Sequence, residues 1–249
     1  VGAVEIYLNL GMSGGSWLGF DTPISVEVGT NPGDLVVGNL DHDTSPDLAV
    51  TNYDDDTVSI LLNDGSAGFS TTTLSTGAGS GPISLAIGDF DTDDGLSLND
   101  LAVGCESSSP TGVQIYTNST PVSIQGPRGA IFNLDSTWAS PVPTSIDPID
   151  VNDPKDNDLD IIITSGPGNS VTIKRGDGSG DTIDFMAFPI ALPSSSNPVA
   201  GGFALLNDDS IPDYITVNNS GSSLSTLPGD GETLGNPSPV PMGDDPMSF

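Results

Sequence analysis

The chain has 249 residues and sets 34 acidic side chains against four basic ones, a formal charge of −30 at pH 7. That balance argues against nucleic acid or an anionic membrane surface as a partner, because both recruit Lys and Arg. Apolar residues make up only 35%, Gly (31) and Pro (21) are plentiful, and no long stretch carries helical apolar spacing, so the chain reads as all-β. Nearly all of the acid is Asp, Glu occurring only as Glu5, Glu27, Glu106 and Glu232; Asp suits tight turns and hard-cation sites. The single cysteine, Cys105, excludes an internal disulfide framework and any multi-cysteine metal site, and its place in LAVGC reads as a buried, inert thiol. No apolar run reaches the roughly 18 residues of a membrane-spanning helix. Val1 follows no secretory leader and no Met, which reads as a mature chain or a fragment.

In chain order, VEIYLNLG (4–11) matches the later TVSILLNDG, so residues 1–30 read as a partial unit that opens on a third strand. The unit 31–79 carries the acidic turn GNLDHDTSPDLAV (38–50), the alternating run TVSILLN (57–63) and the turn NDGSAGF. The unit 80–140 repeats it as GDFDTDDGLSLNDLAV (88–103) and GVQIYTN (112–118). The unit 141–197 has IDVNDPKDNDLDIII (149–163), SVTIKRG (170–176) and the closing segment IDFMAFPIAL (183–192). The unit 198–244 has LLNDDSIPDYITV (205–217) and SLSTLPG (223–229), and DPMSF (245–249) matches GPISL (81–85), the start of a further first strand. The closing aspartates Asp47, Asp100, Asp160 and Asp213 recur every 53 to 60 residues or so. Each unit thus predicts four short strands: one before the acidic turn, one after it, the alternating run, and a closing segment. Four-stranded antiparallel units at this period are what propeller blades look like in sequence. The expected fold is an all-β propeller or propeller segment, with about four complete blades and partial ones at the ends. A five-bladed ring closed by the N-terminal half-unit and a piece of a longer ring both stay open. Unpaired end strands predict association.

GNLDHDTSPDLAV followed by TVSILLNDG, and GDFDTDDGLSLNDLAV in the next unit, resemble the VCBS / FG-GAP repeat family, which is similar to the calcium-binding blades of integrin α-chain propellers. Four copies carry the resemblance over essentially the whole chain. It implies a β-propeller, calcium in the loop between the first two strands, and an extracellular or cell-surface setting, with the periplasm as a variant. It leaves the role open among adhesion, lectin and accessory-module functions.

Asn39, Asp41, Asp43 and Asp47 crowd one turn, so the turn is either solvated or built around a cation. Calcium takes about six to eight oxygens at roughly 2.3–2.6 Å. The family pattern places ligands at positions 1, 3, 5 and 9 and a carbonyl at position 7. For the first turn that implies Asn39, Asp41, Asp43, the Ser45 carbonyl and Asp47, with Thr44 where the pattern has Gly. The second turn supplies Asp89, Asp91, Asp93 and Asp100 on a longer loop whose carbonyl is not assigned. The third supplies Asp150, Asn152 and Asp160, with Asp156 or Asp158 in the middle. The fourth has Leu205 at the first position and keeps Asn207, Asp209 and Asp213.

Other motifs point to less. GDGSGD (176–181) lacks the Lys and helix of a phosphate loop and reads as a hairpin turn. His42, the sole histidine, sits among the ligand candidates with no partner serine marked. Paired carboxylates for glycoside hydrolysis are already explained by the repeat positions. Trp17 and Trp138 read as blade packing, with sugar stacking as the alternative. NST (118–120) and NNS (218–220) match the glycosylation acceptor pattern. The expected function is therefore a non-catalytic, calcium-binding module engaging a protein or a glycan at the cell surface. A lectin, or the accessory part of a larger secreted enzyme or complex, is the alternative.

Overall fold

Short runs rich in Val, Ile, Leu and Thr, cut by turns of Gly, Asp, Asn and Pro, can satisfy their backbone only by pairing laterally. The structure, a computed structural model, describes residues 1–41, 43–90, 99–106, 112–119, 130–138, 141–150, 159–175, 186–193, 196–220, 223–230 and 233–241. It is all-β, and its one helical element among these residues is a 3-10 turn at Tyr53–Asp55.

The chain opens with β1 (Gly2–Ile6), the small β2 (Met12–Ser13) and β3 (Ser16–Trp17), and β4 (Ile24–Val28). β1 pairs antiparallel with β4 from Gly2↔Val28 to Ile6↔Ile24, and β2 pairs with β3. The run predicted to continue through Gly11 leaves the ladder after Ile6. Its backbone rejoins the return strand irregularly, through an Asn9–Phe20 bridge and a bond from Leu10 N–H to the Gly19 carbonyl. Gly11, Gly14, Gly15 and Gly19 take positive φ in this hairpin, a conformation that regular strand does not use.

Four antiparallel four-stranded sheets follow, each an up-and-down meander. The first holds β5 (Pro32–Gly38), β6 (Asp47–Asn52), β7 (Thr57–Asn63) and β8 (Phe69–Ser75). The second holds β9 (Pro82–Gly88), β10 (Asp100–Cys105), β11 (Gly112–Asn118) and β12 (Phe132–Trp138). The third holds β13 (Ser145–Ile149), β14 (Asp160–Ser165), β15 (Ser170–Arg175) and β16 (Met186–Ala191). The fourth holds β17 (Pro198–Ala204), β18 (Asp213–Asn218), β19 (Ser223–Leu227) and β20 (Ser238–Pro241). The strand after each acidic turn is the most enclosed, β10 and β14 being buried at every position.

Burial on both faces follows from stacking. Val58, Ile60 and Leu62 of the first sheet pack with Leu101, Val103 and Cys105 of the second, while Ala102, Val113 and Ile115 face Ile146, Ile161 and Ile163 of the third. Ile162, Val171 and Ile173 then meet Tyr214 and Leu227 of the fourth. The β1–β4 pair packs on the first sheet through Val28 with Val50 and Leu61. The first strands lie side by side, β5 against β9, β9 against β13 and β13 against β17. This close approach explains the glycine before two of the acidic turns. A methyl group on Gly38 would collide with Ile87, and one on Gly88 with Leu159.

Candidate metal centre

The β5–β6 turn is wound by its own side chains. Asp41 N–H donates to Asn39 Oδ1 (3.2 Å), Asp43 N–H to Asp41 Oδ1 (3.1 Å) and Ser45 N–H to Asp43 Oδ1 (2.6 Å). Three Asx turns in succession therefore set Asn39, Asp41 and Asp43 at alternate positions against the loop backbone. Asn39 Nδ2 also donates to the Asp43 carbonyl, so this amide closes the loop with its nitrogen. The β17–β18 turn repeats the ladder, with Asp209 N–H on Asn207 Oδ1 (2.9 Å) and Ile211 N–H on Asp209 Oδ1 (2.9 Å). There both side chains are exposed, whereas Asp41 is buried.

The aspartate that ends each turn has a second employment that its position alone does not reveal. Asp47 is buried; its Oδ2 accepts Leu40 N–H and its Oδ1 accepts Asn63 N–H from the end of β7, both at 2.8 Å. Asp100 does the same with Phe90 N–H and Asn118 N–H (2.7 Å each), and Asp213 with Leu206 N–H (2.7 Å) and Gly229 N–H (3.0 Å). One carboxylate thus ties the acidic turn to the end of the third strand in three sheets. Asp160 is buried at the corresponding place in the third. Two backbone N–H groups, both buried in the second sheet and partly buried in the fourth, take this carboxylate as acceptor whether or not an ion is present, which gives the recurring Asp a structural cause.

Charge is concentrated in the first turn. Burial pushes the Asp47 carboxyl up to about 6; the Asn63 and Leu40 N–H groups oppose this, and the charges of Asp41 and Asp43 add to it. Asp41 and Asp43 are therefore close enough to act on Asp47, and the stretch 39–47 contains no Lys or Arg. The turn is also held to the next sheet: Asn99 Nδ2 donates to the Asn39 carbonyl (2.9 Å) and Asn118 Nδ2 to the Leu40 carbonyl (3.0 Å).

Among the described residues, no three His, Cys, Asp or Glu side chains converge as a ready-made shell for an ion. Of the other predicted ligands, Asp89 and Asp150 are half-buried where β9 and β13 end. Asp91, Asp93, Asn152, Asp156 and Asp158 lie outside the described residues, as do His42 and GDGSGD.

Three secondary expectations meet the structure directly. Cys105 is buried, and burial pushes its thiol up to about 12, in keeping with an inert group. Both acceptor-pattern asparagines are buried in the sheets, Asn118 bonding main-chain carbonyls and Asn218 bonding Ser223 and Ser225, so neither amide is open to glycosylation. Trp17 does not pack within a sheet: it is 56% exposed on β3, its indole N–H held by Asn9 Oδ1 at 2.9 Å. Trp138 contributes backbone to β12. No helix among the described residues is long and apolar enough to cross a membrane. Neither a protein-family model nor a curated protein matches the chain.

Proposed function

We propose that the chain is a β-propeller, or a segment of one, stiffened by calcium in the turns between first and second strands and serving outside the cytoplasm as a non-catalytic binding or structural module. Four successive four-stranded meanders, stacked face to face with their first strands adjacent, support the propeller reading. The observation that carries the metal reading is the crowding of Asp41, Asp43 and Asp47 in a turn without a basic side chain. The donor set suits a hard cation, being carboxylate and carbonyl oxygen without thiolate. Asp41, Asp43, Asp47 and the Ser45 carbonyl would hold the ion, with Asn39 joining once its amide oxygen replaces its nitrogen on the inner side. The ion would supply charge neutralisation and stiffness. The fourth turn, exposed and with Leu205 at the first position, offers a poorer cage, and Asp213 is accounted for there by its two N–H partners.

Calcium that binds only the folded chain stabilises it by roughly 2.7 kcal/mol per site at a hundredfold excess over Kd. A chelator is expected to lower the melting temperature by several degrees. Calcium should restore it better than magnesium, which demands a smaller octahedral shell. Asp43→Ala should remove part of the calcium-dependent gain. Asp64→Ala, in the β7–β8 turn where Asp64 accepts from Ser66 and Gly68 N–H, should lower melting equally with and without calcium. Superimposable melts with and without chelator would sink the metal reading.

A second reading, a carbohydrate-binding module, is favoured by Trp17. Its exposed ring, fixed by Asn9 and set edge-on to Phe20 at 5.3 Å, has the form of a stacking platform. A glycan array should then show binding that Trp17→Ala abolishes; an array without signal would count against this reading.

A further inference from the structure

At the starts of the first strands, β5, β9, β13 and β17 leave a cavity of about 460 Å³ between them, and two carboxylates line it, Asp34 and Asp147. Each also crosses a seam. Asp34 Oδ2 accepts Leu85 N–H of β9 (2.7 Å) while its Oδ1 accepts Leu35 N–H (2.8 Å), joining the first sheet to the second. Asp147 Oδ2 accepts the hydroxyls of Tyr214 (2.6 Å) and Ser145 (2.9 Å), joining the third sheet to the fourth.

Among the described residues, the charged side chains on the strands around them are all of one sign. Asp34 is the only titratable side chain of β5 and Asp147 the only one of β13, while β9 and β17 have none. Behind these, β6, β10, β14 and β18 begin with Asp47, Asp100, Asp160 and Asp213 and otherwise bring only Cys105 and Tyr214. Lys174 and Arg175 lie on β15, which β14 separates from β13. Burial raises the Asp147 carboxyl above its ordinary range; the Tyr214 and Ser145 hydroxyls oppose this, and the charge of Asp34 adds to it. Burial likewise raises Asp34, against the Leu85 and Leu35 N–H groups.

We propose that Asp34 and Asp147 form a proton-operated latch: ionised together they push the first and third sheets apart across the cavity, and uptake of a proton lets the four first strands close on it. A carboxyl raised on folding binds its proton more tightly in the folded chain. The latch is therefore closed below the ordinary Asp value near 4 and is lost as pH rises through the raised folded values.

The test is an NMR titration of the Asp carboxyl carbons with chelator present, so that no ion in the acidic turns contributes, together with melting curves from pH 4 to pH 8 or so. Asp147 is expected to titrate above its ordinary value and to shift downward in Asp34→Asn, which keeps an acceptor for Leu85 N–H. The gain in melting temperature of Asp34→Asn over the parent chain should be largest at the alkaline end and shrink toward the acid end. Should that variant fail to fold, Asp147→Asn, which keeps an acceptor for Tyr214, permits the same comparison on Asp34. An Asp147 midpoint unmoved by loss of Asp34, or a melting difference flat with pH, would overturn the latch.

Discussion

Asp47 and Asp213 occupy the same place in their turns and are held by the same two kinds of N–H, yet only Asp47 has other buried acid beside it. Replacing Asp213 by Ala takes the acceptor from two part-buried backbone donors, each at the lower end of about 1–3 kcal/mol, so urea unfolding should show a loss of about 2–3 kcal/mol. That loss should be the same with calcium or chelator, since the N–H groups and not an ion set it. Asp47 should behave otherwise. Its carboxyl sits at about 6 without an ion, so the ion-free chain gains stability from it as pH falls toward 4 and loses that as pH rises through 6. Calcium needs the ionised form and should expel a proton on binding near pH 6 but not near pH 8. Calorimetry in buffers of different ionisation heat reads that proton directly, and equal proton release at both pH values would remove Asp47 from the ligand set. The sequence could not separate these two employments of Asp, because a pair of N–H donors and a cation ask for the same residue at the same position.

At the scale of elements, the four-strand unit was legible because its signals agree: TVSILLN alternates, NDGSAGF turns, and an Asp restarts the chain at each second strand. Less legible was what depends on contacts between sheets. Gly38 and Gly88 look like turn residues in GNLD and GDFD, whereas the space is needed by Ile87 and Leu159 of the following unit. Gly38→Val should cost about 1–3 kcal/mol by overpacking, and Ile87→Ala in the same chain should recover part of it, a coupling a denaturant-unfolding cycle would measure. Additive losses would place the strain elsewhere. The exposure of Trp17 was hidden for a related reason: a run that matches TVSILLN was expected to continue as strand, and the Gly-rich hairpin after Ile6 carries the indole outside the sheets.

Taken whole, the molecule is a series of sheets whose cores are each shared by two neighbours in sequence. Among the described residues β1 pairs with β4 alone, and a strand edge without a neighbour is where a second chain would pair. The charge of −30 opposes that meeting. Screening over a Debye length of about 8 Å at physiological ionic strength weakens the opposition. Association detected by analytical ultracentrifugation should therefore rise with protein concentration and with added salt. A monodisperse monomer at high salt would show that the edge of β1 is protected.

The bonds from Asn99 and Asn118 to the carbonyls of Asn39 and Leu40 have a mechanical consequence. They fasten one unit's turn to the next unit's sheet, while each sheet is a meander whose strands can be drawn off one at a time. Under tension applied at the two ends, such a chain should yield in steps rather than all at once. Each step would release one unit of about 55 residues, or about 180 Å at full extension. The seam between the first and second sheets carries both asparagine bonds and would be a late rung on that ladder.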